Sequence, residues 1–313
     1  MMCAWRVRRS ASRCKQVHGC TGLAVCTIIP SDSRTGDPVP SLSISIVTYL
    51  PEEGPLRECL VSLGKAIDYA RQQGSITDIS LTVIDNSTDT HIHEELGKLL
   101  DTAWRLPGAV PQLLPTQRNL GYGMAHNLAI TASAMDYHLV LNPDVVLQCE
   151  ALHNAVVFMQ THEQTALLTP SVYNADGNRE YLNKGYPDVT TLLLRGFAPA
   201  FMKTRFAARI SRYERHDADP TQIRHDILLA SGCFMFCKTA ILQRAGGFSD
   251  SYFLYFEDYD LSMRIREFGD IAYAPDVSIV HYGGNAAKKG YRHIFLFVRS
   301  AATFFNQHGW KLW

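Results

Sequence analysis

The feature that most constrains the fold of this 313-residue chain is an alternation of strand patterns and helical stripes that begins at Ser41. The stretch SLSISIVTY is apolar and rich in β-branched residues, which predicts a buried strand. Apolar residues then recur at helical spacing from Leu56 to Ala70, with Pro55 in the first turn and Gly74 after the last. The strand patterns ISLTVID, QLLP and YHLVLNPDVVL follow, separated by two more predicted helices. This series predicts an α/β fold with a Rossmann-like, mostly parallel sheet and helices on both faces.

Polar residues follow the ends of the four predicted strands, where an open parallel sheet binds its ligands. Any one of these groups is typical of an ordinary turn. Four groups in succession on one edge instead predict a ligand site. In chain order they are Thr48 with Tyr49, Asp85, Arg118 with Asn119 and Gly121, and Asn142 with Asp144.

Composition and motif spacing narrow the function classes. The formal net charge is zero, so no overall field favours a nucleic-acid partner. A dinucleotide site would place GxGxxG after the first strand, where this chain has TYLPEEGP, and the P-loop pattern is absent. A divalent cation with a nucleoside diphosphate ester fits better, because Asp144 supplies a hard oxygen ligand.

The cysteines and the first forty residues bear on the compartment. Four of the eight cysteines lie in the first 26 residues, and none has zinc-like or CxxC spacing. This pattern favours reduced thiols in a cytoplasmic protein over a secreted disulfide framework. Residues 1–40 are basic and lack periodicity, so we interpret them as a disordered extension, with a targeting arm as the alternative.

The ordered motifs of this chain resemble those of the family 2 glycosyltransferases with a GT-A fold. The resemblance covers about residues 43–285, and it is strongest to bacterial rhamnosyltransferases that use dTDP-L-rhamnose. The motifs are SIVTY, VIDNSTD, RNLGYGMAHN, LNPDV, SGCFMF, GGFSDSYFLYFEDYDLSMRIREFG and VHYGG.

That resemblance implies an inverting transfer of a sugar, L-rhamnose first among the donors, to a glycan or lipid-linked acceptor in cell-surface polysaccharide synthesis, such as that of the O-antigen of lipopolysaccharide. It implies a GT-A domain over residues 41–285, with a nucleotide-sugar half at about 41–150 and an acceptor half at about 151–285. A UDP-sugar transferase and a catalytically inactive nucleotide-sugar-binding domain remain alternatives. A nicotinamide-dependent oxidoreductase is disfavoured by the missing glycines.

The resemblance also implies roles for residues of the nucleotide-sugar half. Asp85 matches the acid that contacts the base, and Thr48 and Tyr49 match the lining of the nucleoside. The segment with Arg118, Asn119 and Gly121 lies near the nucleotide and its sugar in the family. Asn142 and Asp144 occupy the DxD position, where Asn142 departs from the strict pattern. Asp144 is then the charged ligand for Mg²⁺ or Mn²⁺, and His281 matches a histidine that completes the metal shell.

The stretch FLYFEDYDL contains the ED motif that supplies the general base in these enzymes. An acceptor hydroxyl must lose its proton as it attacks, and a carboxylate within about 3 Å can take that proton. We interpret Asp258 as the base, and Glu257 as the residue that orients the site or holds the acceptor. Asp260 is expected to cap the helix that follows. The alternative is that all three acids are caps and solvated loop residues.

Two segments combine basic and aromatic residues, namely residues 190–225 and the C-terminal segment 286–313. This combination is typical of a helix that lies on a membrane surface. It predicts peripheral contact with the inner face of the cytoplasmic membrane. A solvated helix face or a dimer contact is the alternative, and homo-oligomerisation stays open.

Overall fold

The computed structural model describes residues 38–283 and 290–313, and Val39–Trp313 form one compact unit. The predicted extension over residues 1–40 therefore lies almost entirely outside the described residues. The strands are β1 (Leu42–Thr48), β2 (Ile79–Asp85), β3 (Gln112–Pro115), β4 (Tyr137–Leu141), β5 (Val145–Leu147), β6 (Thr165–Tyr173), β7 (Arg179–Glu180), β8 (Phe234–Lys238) and β9 (Asp270–His281). The helices are α1 (Glu53–Gln72), α2 (Thr90–Ala103), α3 (Tyr122–Ala132), α4 (Ala151–Thr161), α5 (Val189–Phe197), α6 (Ala200–Arg205), α7 (Ala207–Glu214), α8 (Thr239–Arg244), α9 (Glu257–Ile265) and α10 (Tyr291–His308).

The predicted α/β sheet is confirmed. Its strands lie in the order β3-β2-β1-β4-β8-β6-β9-β5, with β7 paired to β6. The first four strands of that order are parallel, whereas β8 runs antiparallel to both β4 and β6. The carboxyl ends of β1, β2, β3 and β4 therefore share one edge, as the sequence predicts.

Helices cover both faces of the sheet, and β4 shows this directly. Leu139 and Leu141 pack in the core that holds the apolar stripe of α1, including Leu60. Val140 points the other way and packs with Ile130 of α3. Because side chains alternate along a strand, each face of β4 must meet a separate helical layer.

The sequence pattern YHLVLNPDVVL divides into β4 and β5 instead of forming one strand. The chain turns at Asn142–Asp144, where Pro143 has no N–H to continue the ladder. After the turn, β5 pairs antiparallel with β9, so Val145 lies opposite His281. This turn brings the DxD position next to a histidine far away in sequence.

Part of the predicted C-terminal segment is integral to the fold. Phe304 of α10 packs with Tyr252 and Phe256, the aromatic residues that precede α9. Tyr252 also donates a hydrogen bond from its hydroxyl to Gln307 Oε1 at 2.6 Å. None of the helices within the described ranges has both the length and the apolar character needed to cross a membrane.

Candidate active site

Asp85 is the last residue of β2 and is fully buried at the carboxyl edge of the parallel strands. Its Oδ1 accepts a hydrogen bond from the backbone N–H of Ser87 at 2.9 Å. Its Oδ2 has no hydrogen-bond partner within the described structure, and His93 Nδ1 lies 3.6 Å away. A buried carboxylate oxygen without a partner costs free energy, so this oxygen is suited to accept a hydrogen bond from a ligand.

The residues around Asp85 hold the strand ends in register. Thr48 is buried at the end of β1, while the side chain of Tyr49 is 56% exposed. Asn86 Nδ2 donates to the carbonyl of Gly121 at 2.9 Å, and Asn86 Oδ1 accepts from the N–H of Leu120 at 3.3 Å. Asn86 therefore joins the end of β2 to the turn before α3.

The turn before α3 contacts the aromatic loop that precedes α9. Gly121 has a φ of +83°, and a Cβ there would lie 2.3 Å from the carbonyl oxygen of Phe253. Tyr122 donates its N–H to that same carbonyl at 3.1 Å, and Asn119 Oδ1 accepts from the N–H of Gly121 at 2.9 Å. Arg118 is exposed beside them. The glycine is thus required for close approach, and nucleotide contacts by Arg118, Asn119 and Gly121 stay predictions.

The side chains of Asp144 and His281 lie side by side, close to Gly283. His281 Nε2 is 3.6 Å from Asp144 Oδ1, and that oxygen is buried without a hydrogen-bond partner in the described part of the chain. A Cβ on Gly283 would lie 2.5 Å from His281 Nε2 and 2.9 Å from Asp144 Oδ2. The other ring nitrogen, Nδ1, is 3.3 Å from Glu180 Oε2. A carboxylate partner of this kind orients a metal-binding histidine in many sites.

These two side chains fit a divalent cation that is shared with a ligand. Among the described residues, no group of three or more His, Cys, Asp or Glu side chains is arranged to hold a metal ion. Mg²⁺ usually takes one or two carboxylates and completes its shell with substrate phosphates and water. An unpartnered carboxylate oxygen beside an oriented imidazole matches that partial protein shell.

Glu257 and Asp258 open α9 after Phe256, whose φ is +65°. Asp258 Oδ2 accepts from the N–H of Gly232 at 3.0 Å, and its Oδ1 accepts from the N–H of Tyr259 at 2.9 Å. Burial raises the pKa of Asp258, and these backbone hydrogen bonds oppose that rise. Glu257 is 6% exposed, and its Oε2 has no partner in the described residues. Burial, followed by the charge of Asp258, raises the pKa of Glu257.

Cys233, directly before β8, is influenced by acids of both the metal-binding candidate and the base candidate. Burial raises the pKa of the Cys233 thiol to about 12, and the charges of Asp144, Asp258 and Glu180 add to that effect. The high pKa excludes Cys233 as a thiolate nucleophile at neutral pH. The backbone just before β8 links the two groups, because the Cys233 carbonyl accepts from the N–H of Asn142 at 2.9 Å and the N–H of Gly232 donates to Asp258 Oδ2 at 3.0 Å.

The interpretation of Asp260 as a helix cap is wrong. Its Oδ2 accepts from Arg264 Nε at 2.9 Å and Nη2 at 2.6 Å, and its Oδ1 lies 2.9 Å from His308 Nε2. The N–H of Asp260 is already bonded to the carbonyl of Phe256. Asp260 therefore ties α9 to α10, because its partners come from those two helices.

Three residues of the site were missed from the sequence: Asn86, Glu180 and Gly283. Glu180 follows the sequence NADGN at residues 174–178, a pattern that predicts a hairpin turn, and β6 and β7 pair antiparallel on either side of it. The acid directly after that hairpin was the available signal. Its contact with His281 spans 101 positions of the chain, and no local pattern predicts such a pairing.

Substitution of Glu257 by glutamine is expected to stabilise the folded chain at alkaline pH. The folded-state pKa of Glu257 lies above its ordinary value of 4.5, so the fold favours the protonated form. The resulting stabilisation of the fold is complete below the pKa that Glu257 has in the unfolded chain. It is lost as pH rises toward the pKa that Glu257 has in the folded chain. The glutamine variant carries no charge to bury, so its Tm should exceed that of wild type by an amount that grows above pH 4.5 and then levels off. If the Tm difference between the glutamine variant and wild type were the same at pH 5 and at pH 9, this prediction would be contradicted.

Comparisons with known proteins bear on the family and the fold. The sequence profile of the family described as "Glycosyltransferase like family 2" matches residues 40–298. An N-acetylglucosaminyl-diphospho-decaprenol L-rhamnosyltransferase of Mycobacterium tuberculosis is 27% identical over 259 residues, which cover 77% of this chain and 76% of that protein. Rhamnosyltransferase WbbL of Escherichia coli strain K12 is 25% identical over 175 residues, which cover 51% of this chain and 61% of that protein.

A solved structure supports the fold. The crystal structure of GalNAc-T7 with UDP, GalNAc and Mn²⁺ superposes with a TM-score of 0.55 at 14% identity. The match covers 78% of this chain and 44% of that chain. At this identity the likeness shows the shared fold alone.

Proposed function

This chain belongs to the family 2 glycosyltransferases, and on that premise we propose that it transfers L-rhamnose from dTDP-L-rhamnose to a hydroxyl of a glycan or lipid-linked acceptor in cell-surface polysaccharide synthesis. The names of two rhamnosyltransferase relatives support the sugar. The words diphospho-decaprenol in one of those names support a lipid-linked acceptor.

One structural observation carries the proposal. Three buried carboxylate oxygens near the carboxyl edge of the sheet lack a hydrogen-bond partner in the described residues: Asp85 Oδ2, Asp144 Oδ1 and Glu257 Oε2. Buried polar atoms are normally satisfied, so each such exception calls for an explanation. A nucleotide base, a divalent cation and an acceptor hydroxyl would satisfy these three oxygens in turn.

Donor binding falls to the residues at the ends of β1 to β4. Asp85 would accept a hydrogen bond from the base, next to Thr48, its partner in the pairing of β1 with β2, and Tyr49, which follows β1, would line the nucleoside. The turn with Arg118, Asn119 and Gly121 would approach the nucleotide, as would Asn142. The backbone of Asn142 is fixed at this edge, because its N–H donates to the carbonyl of Cys233 at 2.9 Å.

Asp144 and His281 would hold the divalent cation, Mg²⁺ or Mn²⁺. When bound, the cation would supply positive charge against the diphosphate that leaves. Glu180 would fix the ring of His281 by its contact with Nδ1. The backbone of Asp144 is held beside the strand that carries His281, because the N–H of Tyr282 donates to the Asp144 carbonyl at 3.0 Å.

Asp258 would act as the general base in a single displacement. Its carboxylate takes the proton of the acceptor hydroxyl while that oxygen forms a bond to the anomeric carbon. The bond from that carbon to the diphosphate oxygen breaks, and its electron pair leaves with the nucleoside diphosphate. Attack from the opposite face inverts the anomeric centre. Burial keeps the Asp258 pKa above its usual range, which makes it a stronger base while it stays ionised near neutral pH.

A donor screen tests the proposal. We expect dTDP-rhamnose to raise the Tm more than UDP-glucose, UDP-N-acetylglucosamine or GDP-mannose do, and only when Mg²⁺ or Mn²⁺ replaces EDTA. A preference for a UDP-sugar would retain the family and overturn the donor. Failure of every nucleotide sugar to shift the Tm would contradict donor binding by this chain, both in the proposed transferase and in the inactive nucleotide-sugar-binding alternative.

The proposal extends to a membrane surface at α6 and the C-terminus. Phe201 and Trp313 are exposed there, and the Arg209 guanidinium lies 4.0 Å from the centre of the Trp313 ring. Lys203 and Lys311 are exposed nearby in sequence. Exposed aromatic rings with cations suit the headgroup layer of an anionic bilayer. Co-sedimentation with anionic vesicles is expected at low salt, and its absence would remove this extension.

A further inference from the structure

We propose that the acceptor half carries an anion site, built around Arg179 and Arg224, that takes a phosphate group of the acceptor. The inference rests on the proposed transferase function and specifies its acceptor as a phosphorylated one. Nothing in the sequence motifs or in the relatives' names points to these two arginines.

The site is a cavity that adjoins the catalytic edge. Its lining comes from β6, β7, the segment 214–224, the start of β8 and β9. Glu180 lines the cavity on one side and contacts His281. Cys233 lines it on another side, next to Gly232, whose N–H is bonded to Asp258. An acceptor group in this cavity would therefore lie beside the proposed base and beside the histidine of the proposed metal site.

Arg179 is held rigidly at this cavity. Its Nη2 donates to the hydroxyl of Tyr273 at 2.8 Å, and that hydroxyl donates to the carbonyl of Pro220 at 2.9 Å. Its guanidinium lies 5.4 Å from the ring centre of Tyr181 and 5.5 Å from that of Tyr273. Its Nε is nevertheless buried and has no hydrogen-bond partner in the described residues. The side chain is therefore preorganised and has a donor to spare.

Arg224 supplies a second spare donor from another element. Its Nε donates to Asp226 Oδ1 at 3.1 Å, while its Nη2 is buried without a partner in the described chain. The backbone of Arg224 pairs with that of Tyr273, which also holds Arg179. Tyr273 thus connects both arginines to one cavity wall.

The carboxylates around the cavity are already engaged. Glu214 pairs with Lys184 at 3.4 Å and with Arg195 at 2.7 Å. Asp226 pairs with Arg215 and Arg224.

The other two nearby acids leave Arg179 without a counter-ion. Glu180 contacts His281, and the exposed Asp219 bonds to Thr221 although it also feels the charge of Arg179. No carboxylate of the described residues lies within ion-pair distance of Arg179. An unpaired, half-buried guanidinium calls for an anion.

A phosphate group fits the N–H groups of these two arginines better than a neutral sugar does. Two arginines from different elements line one cavity, and each has a buried N–H group without a partner in the described residues. A tetrahedral phosphate has several oxygens that could accept from such groups. The phosphates of the donor are expected on the Asp144 side of His281, with Glu180 between them and Arg179. The group in the cavity would therefore belong to the acceptor, either as a prenyl diphosphate or as a soluble sugar phosphate.

Calorimetric titration of the full chain tests the site while the donor site is blocked. The protein is saturated with dTDP and Mg²⁺ and titrated with methyl phosphate or with geranyl diphosphate. We expect both probes to bind wild type, and Arg179→Gln to weaken both at least about tenfold. Arg179→Lys, which keeps the charge, should recover part of that loss. Arg244→Gln is the matched control, because Arg244 also stacks on an aromatic ring, at 4.6 Å from the centre of Phe268, but lies outside the cavity.

The outcomes separate the source of the phosphate and the two proposals. Much tighter binding of geranyl diphosphate would favour a lipid-linked acceptor, and equal binding would favour a soluble sugar phosphate. No binding of either probe, or equal binding by wild type and Arg179→Gln, would overturn the anion site. The affinity for dTDP is measured first, for wild type and for each variant. Failure of wild type to bind dTDP would contradict the proposed function, and that result is distinct from failure of the anion site.

Discussion

Replacement of Asp258 by asparagine is expected to lower the rate of sugar transfer by about 10³-fold or more while the Kd for dTDP changes less than about threefold. An amide cannot take the proton of the acceptor hydroxyl, and a positioned base contributes roughly 10²–10⁴-fold to such a step. Asparagine keeps one of the two backbone hydrogen bonds that now come from Gly232 and Tyr259. The start of α9 should therefore keep its place, and Asp85 and the other nucleotide-binding candidates lie on different elements.

Asp260→Asn is the matched control for that substitution. It makes the same chemical change two residues later in α9, at a carboxylate engaged by Arg264 and His308 instead of the active site. We expect it to lower the Tm and to leave the transfer rate within about threefold of wild type. Single-turnover transfer from dTDP-rhamnose and calorimetric titration of dTDP make the two measurements. If Asp258→Asn loses nucleotide binding together with transfer, Asp258 is a structural residue; if it transfers at the wild-type rate, another group is the base.

The first half of the fold is predictable because its signals are local. The stripe from Leu56 to Ala70 becomes the buried face of α1, and Gly74, with a φ of +68°, follows the helix as expected. The buried parallel strands β1, β2 and β4 are short apolar runs, and a polar residue such as Asp85 marks the end of β2. These patterns need no knowledge of distant contacts, since helix and strand periods are properties of neighbouring residues.

The second half of the site depends on contacts that no local pattern encodes. The position of β5 follows from antiparallel pairing with β9, whose residue His281 is 136 positions beyond Val145. The partner of Asp260 on α10, His308, is 48 positions away, so the sequence predicts only a local role for this acid at the start of α9. A carboxylate in the first turn of a helix is favoured by the N-terminal backbone N–H groups of that helix. Here the carboxylate is instead held by the side chains of Arg264, one turn later in α9, and of His308 in α10.

Removal of the Asp144 carboxylate is expected to weaken Mn²⁺ binding by about 100-fold or more in the presence of dTDP. Asp144 is the charged member of the Asp144–His281 pair, and a neutral imidazole alone holds Mn²⁺ weakly against water. Substitution of an outer partner of a metal ligand typically costs 10–100-fold in affinity. Loss of the ligand itself should cost at least as much, so Glu180→Gln is expected to show a smaller loss, of about tenfold, than Asp144→Ala.

Free Mn²⁺ measured by electron paramagnetic resonance gives these affinities without any transfer reaction. Asp136→Ala is the control, because Asp136 is a carboxylate just before β4 whose Oδ2 accepts from the N–H and hydroxyl of Ser41, at the opposite edge of the sheet from Asp144. It should bind Mn²⁺ as wild type does. We therefore expect a graded order of Mn²⁺ affinity: Asp144→Ala binds weakest, Glu180→Gln is intermediate and Asp136→Ala is unchanged. This order follows only if the cation contacts Asp144 and if Glu180 acts through His281. Equal affinities in wild type and Asp144→Ala would mean that the unpartnered oxygen of Asp144 serves another ligand.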